Sequence, residues 1–174
     1  MLQHLVEDLE TLTQAESGRL RLDAASVALD EVVAGVVGAQ QARAEAEGIA
    51  LVADSSDGAV VARVDPVRIR QVVANLVDNA LRHTGAGGNV TAGAHTGGDA
   101  VVVTVADTGE GIAPEHLPHV FDRFYRADPS RTRATGGSGL GLAIARQIVE
   151  AHGGTVDADS AVGEGTTITV RIPQ

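Results

Sequence analysis

The chain has 174 residues, enough for one domain with a substantial core and one additional element. It contains no Cys, which excludes disulfides and thiolate metal sites, and its formal net charge of −10 argues against a nucleic-acid-binding protein. No apolar run reaches the length of a membrane span and no signal-peptide pattern is visible, so we expect a cytoplasmic fragment without direct membrane contact.

The N-terminal residues have the spacing of a coiled-coil seam. Successive leucines are three, four and three residues apart, at Leu2, Leu5, Leu9 and Leu12. About one and a half heptads cannot hold a coiled coil together. The helix therefore either packs on the main domain or is the stump of a longer helical bundle. We favour the stump, and assign it with its linker to residues 1–22.

Three longer helices are predicted in residues 23–174. The first runs from about Leu29 to Glu47 and is closed by a glycine. The second begins at Asp65-Pro66, an N-cap acid followed by proline at the first helical position, and ends before Gly85. The third spans Leu140–His152, and we expect His152 to serve its C-terminus.

Short apolar runs bounded by turn residues predict the strands. In chain order these are Ile49–Ala53, Ala59–Val64, Val90–His95, Ala100–Ala106, Thr155–Ala158 and Thr166–Ile172. The strands are grouped between the helices without βαβ alternation. This arrangement favours a two-layer α/β sandwich, in which three helices cover one face of a mixed, mostly antiparallel sheet of about five strands.

Two asparagines on the second helix are the most informative residues. Asn75 and Asn79 are four residues apart, so their carboxamides stack on one helix face. A carboxamide offers an oxygen to a hard cation and an N–H to a phosphate, but it cannot act as a general base near neutral pH. The pair predicts metal–nucleotide binding without built-in hydrolysis. The alternative is a pair of solvent-facing asparagines.

Two glycine-rich motifs flank a long segment with little periodicity, which is typical of a lid or binding loop. In Asp107–Ile112 the glycines allow close backbone approach to a flat ligand, and the aspartate can accept from an exocyclic amine. Gly136–Leu142 opens the third helix, where bare N–H groups form an anion site. Between them lie four arginines suited to a polyphosphate, Arg123, Arg126, Arg131 and Arg133. An ordinary turn and a solvated basic loop are the alternatives.

Together these motifs resemble the ATP-binding domain of sensor histidine kinases, within the wider group shared with gyrase, Hsp90 and MutL. The four characteristic boxes are present as Asn75–Asn79, Asp107–Gly111, Phe121–Phe124 and Gly137–Gly141. The resemblance extends from about Val27 to Pro173. It implies a Bergerat-type sandwich and makes residues 1–22 the truncated C-terminal end of the dimerisation and phosphoacceptor domain.

The resemblance also implies roles for residues of the metal and base sites. Asn79 would coordinate a Mg²⁺ ion that bridges the phosphates of ATP, with Asn75 beside it, directly or through water. Asp107 would receive the adenine amine and so select ATP over GTP. Gly109 and Gly111 would let the backbone run close to the adenine base. Thr166 would help to hold Asp107 or a water molecule bound to it, and Ile112 would also belong to this base site.

Further residues are implied on the phosphate side. Glycines of the last box would cradle the phosphates as the lid closes, in a segment containing Gly137, Gly139, Leu140 and Gly141. Phe121 and Phe124 would pack the lid against the body, with Arg126 close behind them. The family often has Lys-Tyr where this chain has Arg82-His83. Arginine keeps the charge and can grip phosphate bidentately, and His83 adds a titratable group.

None of the six histidines is followed by the acid-Leu-Arg-x-Pro pattern of the family's phosphoacceptor. The resemblance therefore implies the catalytic domain of an ATP-dependent protein-histidine kinase, with no base assigned in this chain. It would donate the γ-phosphoryl group to a histidine on a separate dimerisation domain, in two-component signalling with a response regulator. The full-length protein would be anchored in the cell membrane. Two alternatives stay open: a clamp ATPase, whose relatives carry Glu where Asn75 stands, and a nucleotide-sensing module without transfer activity.

Overall fold

A computed structural model describes residues 10–14, 20–55, 59–126 and 138–174. Within these ranges, beyond a helical turn at residues 10–14, the elements in chain order are β1 (Ala25–Ala28), α1 (Leu29–Ala46), β2 (Ala50–Ser55), β3 (Val61–Val64), α2 (Pro66–His83), β4 (Asn89–Gly97), β5 (Ala100–Asp107), a 3-10 turn (Leu117–His119), α3 (Gly141–Ala151), β6 (Thr155–Ala161) and β7 (Gly165–Pro173). None of the helices in this part of the chain is long and apolar enough to cross a membrane.

Five of the strands form one mixed sheet in the order β2-β4-β5-β7-β6. The β2 strand runs parallel to β4, and the other neighbours are antiparallel. The three helices pack on this sheet, α1 on β2 and β4, α2 on β4 and β5, and α3 on β6 and β7. The predicted two-layer α/β sandwich is confirmed.

The period-two alternation of β-branched residues decides which face of the sheet is buried. The buried row consists of Val101, Val103 and Val105 on β5 and Ile168, Val170 and Ile172 on β7. The same alternation puts Asp107 at the end of the β5 row and Thr166 at the end of the β7 row. An apolar face covered by helices therefore ends in polar side chains, and the candidate site lies there.

The ends of α2 and α3 meet at Asp65. The Oδ1 atom of Asp65 accepts hydrogen bonds from the backbone N–H groups of Val67 and Arg68, both at 3.0 Å, and so caps α2. The backbone N–H of Asp65 donates to Nε2 of His152 at 3.0 Å, while Nδ1 of His152 lies 2.8 Å from the carbonyl oxygen of Ile148. The predicted role of His152 at the helix C-terminus is confirmed.

The β1 strand was not predicted, because four residues are too few to show a period. It pairs antiparallel with β3 in a separate two-stranded sheet, with Ala25 opposite Val64. The predicted Ala59–Val64 strand is therefore shorter and does not join the main sheet. The register of this pair depends on residues 33 to 39 positions apart, from Ala28 with Val61 to Ala25 with Val64, which no local pattern encodes.

The described part of the N-terminal helix packs on the domain. Leu12 is 3% exposed and belongs to the hydrophobic core, and Oγ1 of Thr11 accepts a hydrogen bond from Nη1 of Arg68 at 3.1 Å. Such contacts fit a helix that packs on the domain and equally the end of a longer bundle that rests on it, so the assignment of residues 1–22 stays a prediction. The other leucines of the predicted seam, Leu2, Leu5 and Leu9, lie outside the described residues.

Candidate functional site

Asn75 and Asn79 lie half-buried on α2, where this helix meets the start of α3. The Nδ2 atom of Asn75 donates to the carbonyl oxygen of Gly141 at 3.0 Å. Within the described ranges, no group hydrogen-bonds to the carboxamide of Asn79. The two amides therefore differ: the side chain of Asn75 joins two helices, whereas the side chain of Asn79 has no hydrogen-bond partner among the described residues.

Arg82 lies one turn beyond these asparagines and is held by an acid. Its Nη2 atom is 2.7 Å from Oδ2 of Asp78, and Oδ1 of the same carboxylate is 2.6 Å from Nη1 of Arg43 on α1. Burial raises the pKa of Asp78, but hydrogen bonds and charge from the two guanidinium groups outweigh it and bring that pKa below its usual value. Asp78 thus links α2 to α1 through Arg43, and on its own helix it holds Arg82, the arginine predicted for phosphate binding.

The carboxylate of Asp107 is anchored on one side only. Its Oδ1 atom accepts from the backbone N–H groups of Gly109 at 2.8 Å and Thr166 at 3.3 Å. No group in the described part of the chain donates to Oδ2. Burial raises the pKa of Asp107, and it stays raised although these two N–H groups and His83 oppose the shift. A half-buried acceptor atom is therefore available at the end of the sheet.

The glycines of this turn are required by protein backbone that packs against them. A Cβ on Gly109 would overlap the carbonyl oxygen of His83 at the end of α2. Gly111 has φ +68°, and a Cβ there would overlap the carbonyl oxygen of Ala161 at the end of β6. The sequence prediction explained both glycines by the close approach of the backbone to the adenine base. In the structure they let the turn fit between α2 and β6.

His83 also contacts this turn through its side chain. Its Nδ1 atom lies 3.0 Å from Oε1 of Glu110, and both side chains are about half exposed. The backbone N–H of Glu110 donates to the carbonyl oxygen of His83 at 3.3 Å. The end of the asparagine helix and the Asp-x-Gly turn are thereby in direct contact.

Ser160 is a site residue that the sequence prediction missed. Strand pairing sets Thr166 on β7 between Asp107 on β5 and Ser160 on β6. The Oγ atom of Ser160 lies 2.9 Å from Oγ1 of Thr166, and it accepts from the backbone N–H of Ile112 at 2.8 Å. A depression of about 190 Å³ at this end of the sheet is lined by Asp107, Ser160 and Thr166, among others. A lone serine on a strand of alternating burial carries no signal of this role.

The two sides of the predicted lid are joined at their bases. The backbone N–H of Phe124 donates to the carbonyl oxygen of Gly139 at 3.0 Å, and φ is positive at both residues, 57° and 70°. The residues between them that lie outside the described ranges are 127–137, which include Gly137, Arg131 and Arg133. Arg126 is half-buried just before that range.

Three apolar residues of the lid segment have different surroundings. Phe121 packs against the core, but Phe124 is 62% exposed, so the expectation that both phenylalanines pack on the body is wrong for Phe124. The side chain of Leu140 is fully buried and anchors the start of α3. A groove of about 490 Å³ beside Phe121, between α3 and β6, has neither asparagine nor Asp107 in its lining.

Known proteins resemble this chain over almost its entire length. The family described as histidine kinase-, DNA gyrase B-, and HSP90-like ATPase matches residues 64–174. Sensor histidine kinase RppB of Synechocystis sp. is 37% identical over 172 residues, which are 99% of this chain and 38% of RppB. The chain thus spans about two fifths of that relative.

Solved structures with the same arrangement include two kinases. The Acinetobacter baumannii histidine kinase AdeS has a TM-score of 0.81 at 30% identity, covering 99% of this chain and 78% of AdeS. Full-length ShkA in complex with AMPPNP has a TM-score of 0.88 at 29% identity, covering 99% of this chain and 35% of ShkA.

Proposed function

The chain belongs to the histidine kinase-, DNA gyrase B- and HSP90-like ATPase family and is similar to its sensor histidine kinases. We therefore propose that it binds Mg²⁺-ATP and donates the γ-phosphoryl group to a histidine on a separate domain. The observation that supports this most is the convergence of the four motifs. Asn75 bonds to Gly141, 66 residues away, His83 contacts Glu110, and Phe124 bonds to Gly139. Residues 23–174 would be the catalytic domain, and residues 1–22 the end of a dimerisation domain.

The base would bind at the polar end of the sheet. Asp107 presents Oδ2 as an acceptor for the exocyclic amine, beside the buried hydroxyl of Thr166. Gly109 and Gly111 let the turn pack tightly against α2 and β6, which supports a fixed position of the backbone next to Asp107. Ile112 is held through its N–H by Ser160. These features support recognition of a 6-amino purine.

The phosphates and the metal ion would lie between α2 and α3. The half-buried carboxamide of Asn79 fits a Mg²⁺ ion, because it is a neutral hard-oxygen ligand without a hydrogen-bond partner among the described residues. Asn75 would act beside it through its oxygen, since its nitrogen is bonded to Gly141. A bound Mg²⁺ ion would neutralise phosphate charge. The remaining phosphate contacts would come from Arg82, Arg126 and the box Gly137–Gly141.

The transfer itself would need no base from this chain. A bond forms between the γ-phosphorus and an imidazole nitrogen of the acceptor, the bond to the β–γ bridging oxygen breaks, and ADP leaves. Asn75 and Asn79 would hold the triphosphate in place while the acceptor approaches. The acceptor would be on the dimerisation domain of the same kinase, and a response regulator would then receive the phosphoryl group. The full-length protein would be anchored in the cell membrane.

One experiment separates this proposal from its rivals. The chain is mixed with [γ-³²P]ATP, Mg²⁺ and a dimerisation domain bearing the acceptor histidine, and acid-labile phosphate on that domain is measured. We expect label on the acceptor and negligible phosphate release by the chain alone, because an amide cannot activate water. Rapid steady-state hydrolysis would favour the clamp ATPase. ATP binding without label on the acceptor would favour a nucleotide-sensing module.

A further inference from the structure

Three groups converge on the hydroxyl of Ser160. The backbone N–H of Ile112 lies 2.8 Å from its Oγ, the carbonyl oxygen of Gly165 lies 2.7 Å away, and Oγ1 of Thr166 lies 2.9 Å away. Ser160 is half-buried and Thr166 is 7% exposed. Each of these contacts is short enough for a hydrogen bond.

The chemistry of these groups decides where each proton lies. A serine hydroxyl has one proton to donate and can accept twice. The carbonyl oxygen of Gly165 can only accept, so the proton of Ser160 points to it. The N–H of Ile112 can only donate, and the contact with Thr166 is then satisfied only if Thr166 donates to Ser160. The hydroxyl proton of Thr166 is thus directed toward Ser160 and away from Asp107, which leaves the lone pairs of Oγ1 as acceptors.

The ligand side of this row therefore presents acceptors. Asp107, Thr166 and Ser160 are register partners on three adjacent strands, so their side chains share one face of the sheet. The N–H of Thr166 is already donated to Oδ1 of Asp107. What is left is Oδ2 of Asp107 and the lone pairs of Thr166 Oγ1. Two fixed acceptors favour an amino group and repel a carbonyl oxygen.

We propose that Ser160 is a positioning residue that makes this site selective for 6-amino over 6-oxo purine nucleotides, by holding the hydroxyl of Thr166 as an acceptor. The inference rests on the proposed binding of ATP. Without Ser160, the hydroxyl of Thr166 can rotate and donate to the O6 atom of an oxo purine. The wild-type site disfavours an oxo purine because its O6 atom would face acceptors and stay unpaired. Once the hydroxyl of Thr166 can turn and donate to O6, that penalty is lost.

The test compares ATP with ITP, which has a carbonyl oxygen in place of the 6-amino group. Dissociation constants for both are measured by calorimetry with Mg²⁺ for the wild type and Ser160→Ala. We expect the ratio of the ITP constant to the ATP constant to fall by about 5- to 10-fold, the value of one hydrogen bond. Thr169→Val, on the same strand but the opposite face and outside the lining of the depression, is the matched control and should leave the ratio unchanged. Thr166→Val should lower the ratio even if Ser160→Ala does not fold.

The outcomes distinguish this inference from the proposed function. If the role of Ser160 were purely structural, Ser160→Ala would weaken the binding of ATP and of ITP by the same factor. An unchanged ratio of the two dissociation constants, with ATP binding intact, would overturn the inference. Failure of the wild type to bind either nucleotide would instead overturn the proposed function. A fall in the ratio for Ser160→Ala, with no further fall when it is combined with Thr166→Val, would establish that the two hydroxyls act together.

Discussion

Asn75 and Gly141 are joined by a hydrogen bond of 3.0 Å from the side-chain nitrogen of one to the carbonyl oxygen of the other. A carbonyl oxygen can only accept, so the chain requires a donor at position 75. A carboxylate there would set two acceptors against each other. This contact gives a structural reason for an amide at the position where the clamp ATPases carry a glutamate.

Asn75→Asp should destabilise the fold although the two side chains have the same shape. The variant loses a half-buried hydrogen bond and leaves the carbonyl oxygen of Gly141 facing a charge, which we expect to cost about 1–3 kcal/mol. Urea unfolding at neutral pH measures this change. Asn89→Asp, at the exposed start of β4, is the control and should change stability little. Equal stability of wild type and Asn75→Asp would show that the contact with Gly141 carries no energy.

Asn79→Ala should leave the stability of the fold nearly unchanged but weaken the Mg²⁺-dependent binding of ATP. No described residue bonds to its carboxamide, so we expect thermal stability within about 0.5 kcal/mol of the wild type. The gain in ATP affinity on adding Mg²⁺ should fall at least about 10-fold, because the ligand oxygen is gone. Calorimetry with Mg²⁺ and with a chelator measures the difference. Retained Mg²⁺ dependence would remove Asn79 from the metal site.

Asp107→Asn should stabilise the free protein and weaken ATP binding. The pKa of Asp107 is raised in the folded state, so its stability contribution is fully present below the unfolded pKa and is lost as pH rises through the folded pKa. A neutral amide avoids that loss and still accepts from Gly109 and Thr166 through its oxygen. We expect higher thermal stability than wild type at neutral pH, with the difference vanishing in acid.

The same variant should bind ATP about 10- to 100-fold more weakly, because an amide N–H₂ would face the adenine amine. Calorimetric titration at neutral pH checks this change, and thermal unfolding over a pH series checks the stability. A variant that is less stable than the wild type at neutral pH would contradict the burial argument. Unchanged ATP affinity would remove Asp107 from the base site.

Gly111→Ala should be more damaging than Gly163→Ala, although both glycines have positive φ, +68° and +82°. Position 163 is open, so alanine there costs only the backbone strain of about 1–2 kcal/mol. At position 111 the added methyl would also overlap the carbonyl oxygen of Ala161 and push β6 away from the turn. Urea unfolding of the two variants compares them directly. Equal losses would mean that the turn is not packed against β6.

Much of the fold follows from local patterns in the sequence. Asp65-Pro66 marks the start of α2 because an N-cap acid and a proline act within one turn. The alternating valines of β5 indicate a strand because side chains of neighbouring residues point to opposite faces. The four boxes likewise have spacings of a few residues, and their resemblance to the motifs of the family is what predicts the candidate metal and base residues.

Tertiary structure decided what those residues touch. The β1–β3 pair, the bond from Asn75 to Gly141 and the row Asp107–Thr166–Ser160 all join residues far apart in sequence. Strand register and helix packing depend on how complete faces fit together, and a local period cannot encode which distant partner is chosen. By itself the sequence determined the three helices, the five strands of the main sheet and the chemistry of the motifs, but not β1. Only the packed structure determined that Gly109 and Gly111 meet backbone, that Phe124 is exposed, and that the hydroxyl of Ser160 contacts the hydroxyl of Thr166.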